Sequence, residues 1–220
     1  SPGVMTSGPT TKAVLGSISG FVREDVDNND SGDFPLGLVN VTLLDSAGAV
    51  IASVLTANNG FYVFNDLPSG SYTVIKSDLP DYVSVSDVSG ANDNTIVADL
   101  GVGTNSTGND FVDEPLCTIS GVVLVTKNGT ICDRPLIGVV VECRFTNGTV
   151  VATTITDSNG VFVFTGVVPG VYTVVELTSP GFTDVTDSDG GNPNLITVDV
   201  SSSNSTGKKF VEKRVPGTST

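Results

Sequence analysis

The sequence predicts an all-β protein built as two tandem β-sandwiches of roughly seven strands each. The chain repeats itself about 100 residues apart: ISGFV at 18–22 returns as ISGVV at 119–123, and NNGFYVFNDLPSGSYTV from Asn58 returns as SNGVFVFTGVVPGVYTV from Ser158. DVSGANDNTI from Asp87 likewise returns as DSDGGNPNLI from Asp187, and TNSTGNDFV from Thr104 as SNSTGKKFV from Ser203. A period this long exceeds that of solenoid repeats and matches a common domain size, so each copy is expected to own a core. Apolar residues also alternate with polar ones at the period of a half-buried strand, and turn residues recur at intervals of about ten with no helical period between them.

Each element follows from its residues. Val39, Val41 and Leu43 form an inward set, with counterparts Val139, Val141 and Cys143. DSAG at Asp45 and TNG at Thr146 turn the chain into AVIASVLT and TVVATTIT, both rich in β-branched residues. NNG and SNG open the next hairpins at Gly60 and Gly160, followed by FYVF and VFVF. Pro68 with Gly70, and Pro169 with Gly170, then make a turn, and Tyr72 or Tyr172 opens another strand. After the breakers Pro80 and Pro180 come a polar loop, NTIVADL or NLITVDV, and a last strand in NDFVD or KKFVE. The resulting division is an extended arm over 1–17, a sandwich over 18–113, a linker over 114–118, a second sandwich over 119–212 and a terminal linker over 213–220. The start lacks a basic, apolar leader and reads as that of a mature or excised segment.

Composition narrows the function. The 220 residues are 39% hydrophobic with mean hydropathy +0.21, enough for two small cores, yet no apolar run approaches the roughly 18 residues a membrane helix needs. A net charge of −14 opposes binding to nucleic acid or to an anionic membrane. Residues 18–113 carry 14 acids and 2 bases, whereas 119–212 carry 9 and 5, so the first copy holds the excess. Histidine is absent, which removes the usual general base and the commonest zinc ligand and leaves few catalytic routes.

The succession of strand, DxDxNxxxD, PLxG, NG turn and PxGxYTV resembles the B-type repeats of serine-aspartate-repeat surface proteins. More distantly it is similar to collagen-adhesin B-type and transthyretin-like domains, which are immunoglobulin- or prealbumin-like sandwiches. The resemblance spans both copies. It implies an extracellular spacer, adhesion or wall-associated module, commonly tandem and often stabilised by calcium.

In EDVDNNDSGDFP, oxygen side chains of Asp25, Asp27, Asn29, Ser31 and Asp33 alternate at positions 1, 3, 5, 7 and 9 of a loop, the pattern that can wrap Ca²⁺. Asp30 and Leu36 stand where an EF-hand has its glycine and its glutamate, so the loop is not an EF-hand. The spacing does look like the calcium loop of the serine-aspartate-repeat modules. The second copy reads LVTKNGTICDRP there and lacks it. Asp87 and Asp93, or Asp187 and Asp189, form a weaker candidate in the later loops, against the alternative that they only shape turns.

Three cysteines fall in the second half. A Cys117 to Cys132 disulfide would tie down the stretch that replaced the acidic loop, with Cys132 to Cys143 as the competing pair, and one thiol left over. Asn40, Asn105, Asn128, Asn147 and Asn204 each open an N-x-S/T sequon and are candidates for glycosylation. Collagen-adhesin B-type domains can carry a Lys to Asn/Asp isopeptide bond. Lys127 and Glu176 lie at suggestive places, but Lys76 replaces that acid in the first copy, and such a bond is not expected.

The expected function is a non-enzymatic extracellular structural module: a stalk or building block of a surface filament, sheath or matrix, self-associating or joined to neighbouring repeats. The alternative is an adhesin or carbohydrate-binding module using the loops at one sandwich end, which the lack of tryptophan disfavours.

Overall fold

The computed structural model describes residues 12–127 and 130–217, without the side chains of Lys127 and 130–133. Every regular element among these residues is a strand. The first unit holds β1 (Gly16–Glu24), β2 (Phe34–Pro35), β3 (Asn40–Leu44), β4 (Val50–Leu55), β5 (Phe61–Leu67), β6 (Gly70–Lys76), β7 (Tyr82–Asp87), β8 (Thr95–Leu100), β9 (Asn105–Ser106) and β10 (Phe111–Pro115). The second holds β11 (Cys117–Lys127), β12 (Thr130–Pro135), β13 (Val140–Phe145), β14 (Val150–Ile155), β15 (Val161–Val167), β16 (Val171–Leu177), β17 (Phe182–Asp187), β18 (Leu195–Asp199) and β19 (Ser205–Arg214). The first unit has ten strands and the second nine, more than the seven expected per copy, and the two-residue β2 and β9 make up part of the surplus in the first. Packing divides the chain mainly between Asp113 and Glu114, with Val26–Asn29 and Asp81–Val83 grouped with the second unit. Only Leu116 separates the strand ending at Pro115 from the one beginning at Cys117.

Each unit is a sandwich. In the first, an antiparallel sheet of order β4-β3-β6-β8 faces a sheet in which β1 pairs β2 and β5 antiparallel and β9 and β10 parallel. The second repeats this with β14-β13-β16-β18 against β12-β11-β19-β17, and β15 again pairs β11. The first and last strands of both units therefore run parallel side by side, with Val22 opposite Phe111 and Val123 opposite Phe210.

The period-2 pattern explains the cores. Val39, Val41, Leu43, Tyr72, Val74 and Ile96 from one sheet meet Ile18, Val22, Tyr62, Phe64 and Phe111 from the other. The second core repeats these positions, with Phe162 for Tyr62. At Gly20 a Cβ would lie 2.0 Å from the Asn109 carbonyl oxygen, and at Gly121 it would lie 2.3 Å from that of Lys208. The repeated ISG is thus the price of bringing the last strand's backbone against the first. The PxGxYTV signature has a hydrogen-bond origin: the Tyr72 hydroxyl donates to the Pro68 carbonyl and the Tyr172 hydroxyl to that of Val168, both at 2.8 Å. The bond spans four residues in each copy even though the proline shifts by one.

Candidate metal centre

The acidic loop leaves the end of β1. Asn28 and Asp30 take left-handed backbone conformations (φ 59° and 61°), which curl the chain. Gly32 passes so close to Arg23 that a Cβ would meet its side chain at 2.4 Å. The curl brings carboxylate oxygens of Asp25, Asp27 and Asp33 within 4.8 Å of one another, although Asp25 is buried and the other two lie nearer the surface. Two oxygens on one Ca²⁺ at about 2.3–2.6 Å can be up to about 5 Å apart, so the three carboxylates fit such an ion. Asp30, which the alternation rule skipped, also has a carboxylate oxygen within 4.8 Å of Asp25's, and its amide donates to Asp25 Oδ2 at 2.5 Å. Its left-handed φ breaks the simple alternation, so spacing alone pointed past it.

The later loops are built differently. Asp87 Oδ1 accepts from the amides of Ser89 and Gly90 and from the Ser89 hydroxyl, and its Oδ2 from the amide of Asp93. Asp93 Oδ1 accepts from the Thr95 amide. In the second unit Asp187 Oδ1 accepts from the amides of Asp189 and Gly190, and Asp189 from those of Gly191 and Thr197. The Thr197 amide is the main cause holding the Asp189 carboxyl below its ordinary range, while burial raises that of Asp187. These carboxylates cap turns, which is the use turn chemistry gives Asp.

Cysteine geometry corrects the expected disulfide. Lys127 pairs with Thr130 and Val125 with Arg134, so Cys132 lies opposite the far end of β11 from Cys117. About eight or nine extended residues, on the order of 30 Å, separate Cys117 from that point, whereas bridged Cα atoms lie within about 7 Å. Cys117 and Cys143 are buried free thiols. Cys117 lies 3.3 Å from the Val200 carbonyl oxygen, and burial pushes the Cys143 thiol up to about 11. The side chain of Cys132 lies outside the described residues, so its expected partnership with Cys143 meets only the free state of the latter.

Among the sequons, Asn105, Asn147 and Asn204 are exposed and Asn40 half-buried, while Asn128 lies outside the described residues. Asn105 Oδ1 accepts from the Ser17 amide and Asn204 Oδ1 from the Thr118 amide. Asn40 donates to Thr42 and Ser77 hydroxyls.

A second polar feature was not foreseen. On β6 the inward set Tyr72, Val74 ends in Lys76, and on β10 the inward Phe111 is followed two residues later by Asp113. Lys76 Nζ meets Asp113 Oδ2 at 2.8 Å with both side chains 1% exposed. Burial raises the Asp113 carboxyl above its ordinary range, and Lys76 opposes that rise. The signal was present in the alternation itself, which places a charged residue at an inward register.

Comparison with known proteins places this architecture. The sequence profile of the SdrD B-like domain matches residues 16–114 and again 126–215. The chain belongs to the SdrD B-like domain family. It is 31% identical over 199 residues to serine-aspartate repeat-containing protein F of Staphylococcus epidermidis, covering 80% of this chain and 11% of that protein. With serine-aspartate repeat-containing protein D of Staphylococcus aureus (strain Newman) it shares 30% over 182 residues, 76% of this chain and 14% of that one. Colossin-A of Dictyostelium discoideum is 30% identical over 186 residues, 79% of this chain and 2% of that protein. The chain thus spans about a seventh or less of these relatives. Among solved structures, a streptococcal ancillary pilin overlaps 94% of this chain and 64% of its own with 14% identity and a TM-score of 0.45.

Proposed function

We propose that the chain is a load-bearing, non-enzymatic spacer of an extracellular surface protein, its first unit held by calcium. The observation that carries this is the parallel pairing of first and last strands in both units. Because β1 and β10 run the same way, the chain enters a unit at one end of the paired strands and leaves at the other. Tension along the chain then loads the β1–β10 hydrogen bonds together in shear, rather than opening them one at a time. Membership of a family found in serine-aspartate repeat-containing proteins supports a cell-surface setting and repeated neighbouring domains as partners. Among the described residues no helix is long and apolar enough to cross a membrane.

Asp25, Asp27 and Asp33, with oxygens of Asn29 and Ser31, would hold the ion. Bound Ca²⁺ would supply the positive charge that lets these carboxylates stay together and would fix the loop leaving β1. Glycans on Asn40, Asn105, Asn147 and Asn204 would shield exposed turns, and an unmodified intact mass of the native protein would exclude them. Stretching the chain between its ends tests the mechanical reading. Each unit is expected to give in a single abrupt event, and extension without a force barrier would overturn it.

A further inference from the structure

The second unit lacks the acidic loop but gathers a different acidic cluster. Its inward register on β16 runs Tyr172, Val174, Glu176, and on β19 Phe210, Glu212. Glu176 thus stands at the position of Lys76, and Glu212 at that of Asp113. On β17, Asp184 lies directly across from Glu212, where the first unit has Ser84 on β7. Oxygens of Glu176, Asp184 and Glu212 all lie within 4.8 Å of one another. Two exchanges, Lys to Glu and Ser to Asp, have turned a neutral buried pair into three carboxylates.

Such a group is unfavourable without a counter-charge. Like charges directly opposite on paired strands repel, and buried carboxylates lose hydration. Asp184 is half-buried and accepts from the Thr178 hydroxyl at 2.8 Å and 3.0 Å. Glu212 Oε1 accepts from the Ser179 amide at 3.4 Å. Glu176 and Glu212 are fully buried, and among the described residues no donor group meets either Glu176 oxygen or Glu212 Oε2, while burial and the neighbouring Glu212 and Asp184 carboxyls push the Glu176 carboxyl up to about 10. Whichever Glu176 oxygen joins the cluster therefore lacks a donor. In the first unit the equivalent space holds a cation, the Lys76 ammonium, within hydrogen-bond distance of Asp113.

We infer that Glu176, Asp184 and Glu212 bind one hard divalent cation of the Ca²⁺ class, which does for the second unit what the Lys76 ammonium does for the first. Oxygen ligands within 4.8 Å of one another suit an ion with metal–oxygen distances of about 2.3–2.6 Å. The half-buried Asp184 gives the ion its route from solvent. This site shares no residue with the loop at 25–33, so either can fail without the other.

The test is calcium binding to the intact chain, stripped with chelator, by equilibrium dialysis, together with amide hydrogen exchange. Glu176→Lys, which restores the first unit's arrangement, is expected to lose one bound ion per chain, whereas Asp25→Asn with Asp27→Asn leaves that ion in place. In the unsubstituted chain, saturating calcium at about 100 times the dissociation constant should slow exchange of β16, β17 and β19 amides about a hundredfold where they exchange through opening of the unit. An unchanged ion count in Glu176→Lys overturns the site. Calcium-independent exchange of those strands overturns it equally, and needs no variant to fold.

Discussion

Replacing Lys76 with methionine should be among the most damaging single changes in the first unit. The ammonium and the Asp113 carboxylate are each 1% exposed and 2.8 Å apart, so removing one leaves the other buried and uncompensated. Breaking a buried pair in this way costs about 3–5 kcal/mol, a large part of the stability of a domain this size. Replacing both partners at once, as Lys76→Met with Asp113→Leu, removes the desolvation cost together with the attraction and should be near neutral or stabilising. The pH dependence has a definite sign. Burial raises the Asp113 carboxyl in the folded state, so folding takes up a proton between its unfolded and folded values. Without Lys76 the rise is larger, so the penalty of Lys76→Met shrinks as pH falls and is fully present only above the raised folded value. The assay is hydrogen exchange of β1, β6 and β10 amides in the intact chain, which reports the opening free energy of this unit alone. A loss under about 1 kcal/mol for Lys76→Met, or additive effects in the double variant, would refute the reasoning.

Other outcomes follow from the same geometry. Thr56 Oγ accepts from the Val39 amide at 3.0 Å and donates to the Leu36 carbonyl at 2.7 Å, and Thr156 does the same for Val139 and Leu136, so Thr→Val at either should cost about 1–3 kcal/mol by chemical denaturation. Gly121→Ala should destabilise the second unit and raise exchange in β11 and β19, because a Cβ would sit 2.3 Å from the Lys208 carbonyl oxygen. Cys117 and Cys143 should resist alkylation in the native chain and react on unfolding. With the Cys143 thiol pushed up to about 11, its contribution is present below the ordinary thiol range and is lost as pH rises toward that value. Asp25→Asn with Asp27→Asn should abolish the calcium-dependent gain in first-unit protection while leaving the chelated protein folded.

The fold was legible because its determinants are local and repeated. Alternation at Val39, Val41 and Leu43 fixed an inward face, NG turns fixed hairpins, and two copies confirmed each assignment against the other. The gathering of the acidic loop was legible in part: the odd-numbered positions include Asp25, Asp27 and Asp33, whose oxygens lie within 4.8 Å of one another, but Asp30 comes near Asp25 through a left-handed backbone that spacing cannot show. The objection to a Cys117 to Cys132 pairing was not legible, because sequence does not show which end of the first strand each cysteine meets. An 11-residue strand, β11, carries Cys117 to the opposite end from Cys132. The Lys76–Asp113 pair and its acidic counterpart went unseen for a different reason. Their side chains come from facing sheets, a long-range contact set by how the sheets stack. Following the inward register one step beyond Val74 and Phe111 would have exposed the charged residues.

The central claim is that two sandwiches sharing one fold bear load in series, with calcium securing the first. Single-molecule stretching of the intact chain between its ends, in calcium and then in chelator, addresses it directly. Each unit holds about 95 residues, so two unfolding events should appear, each releasing a contour length on the order of 30 nm. With Asp25→Asn and Asp27→Asn, calcium should no longer raise the force of one event, and the other should be unaffected by the substitution. A single event of twice the length, or two events whose forces ignore both calcium and these substitutions, would contradict the account.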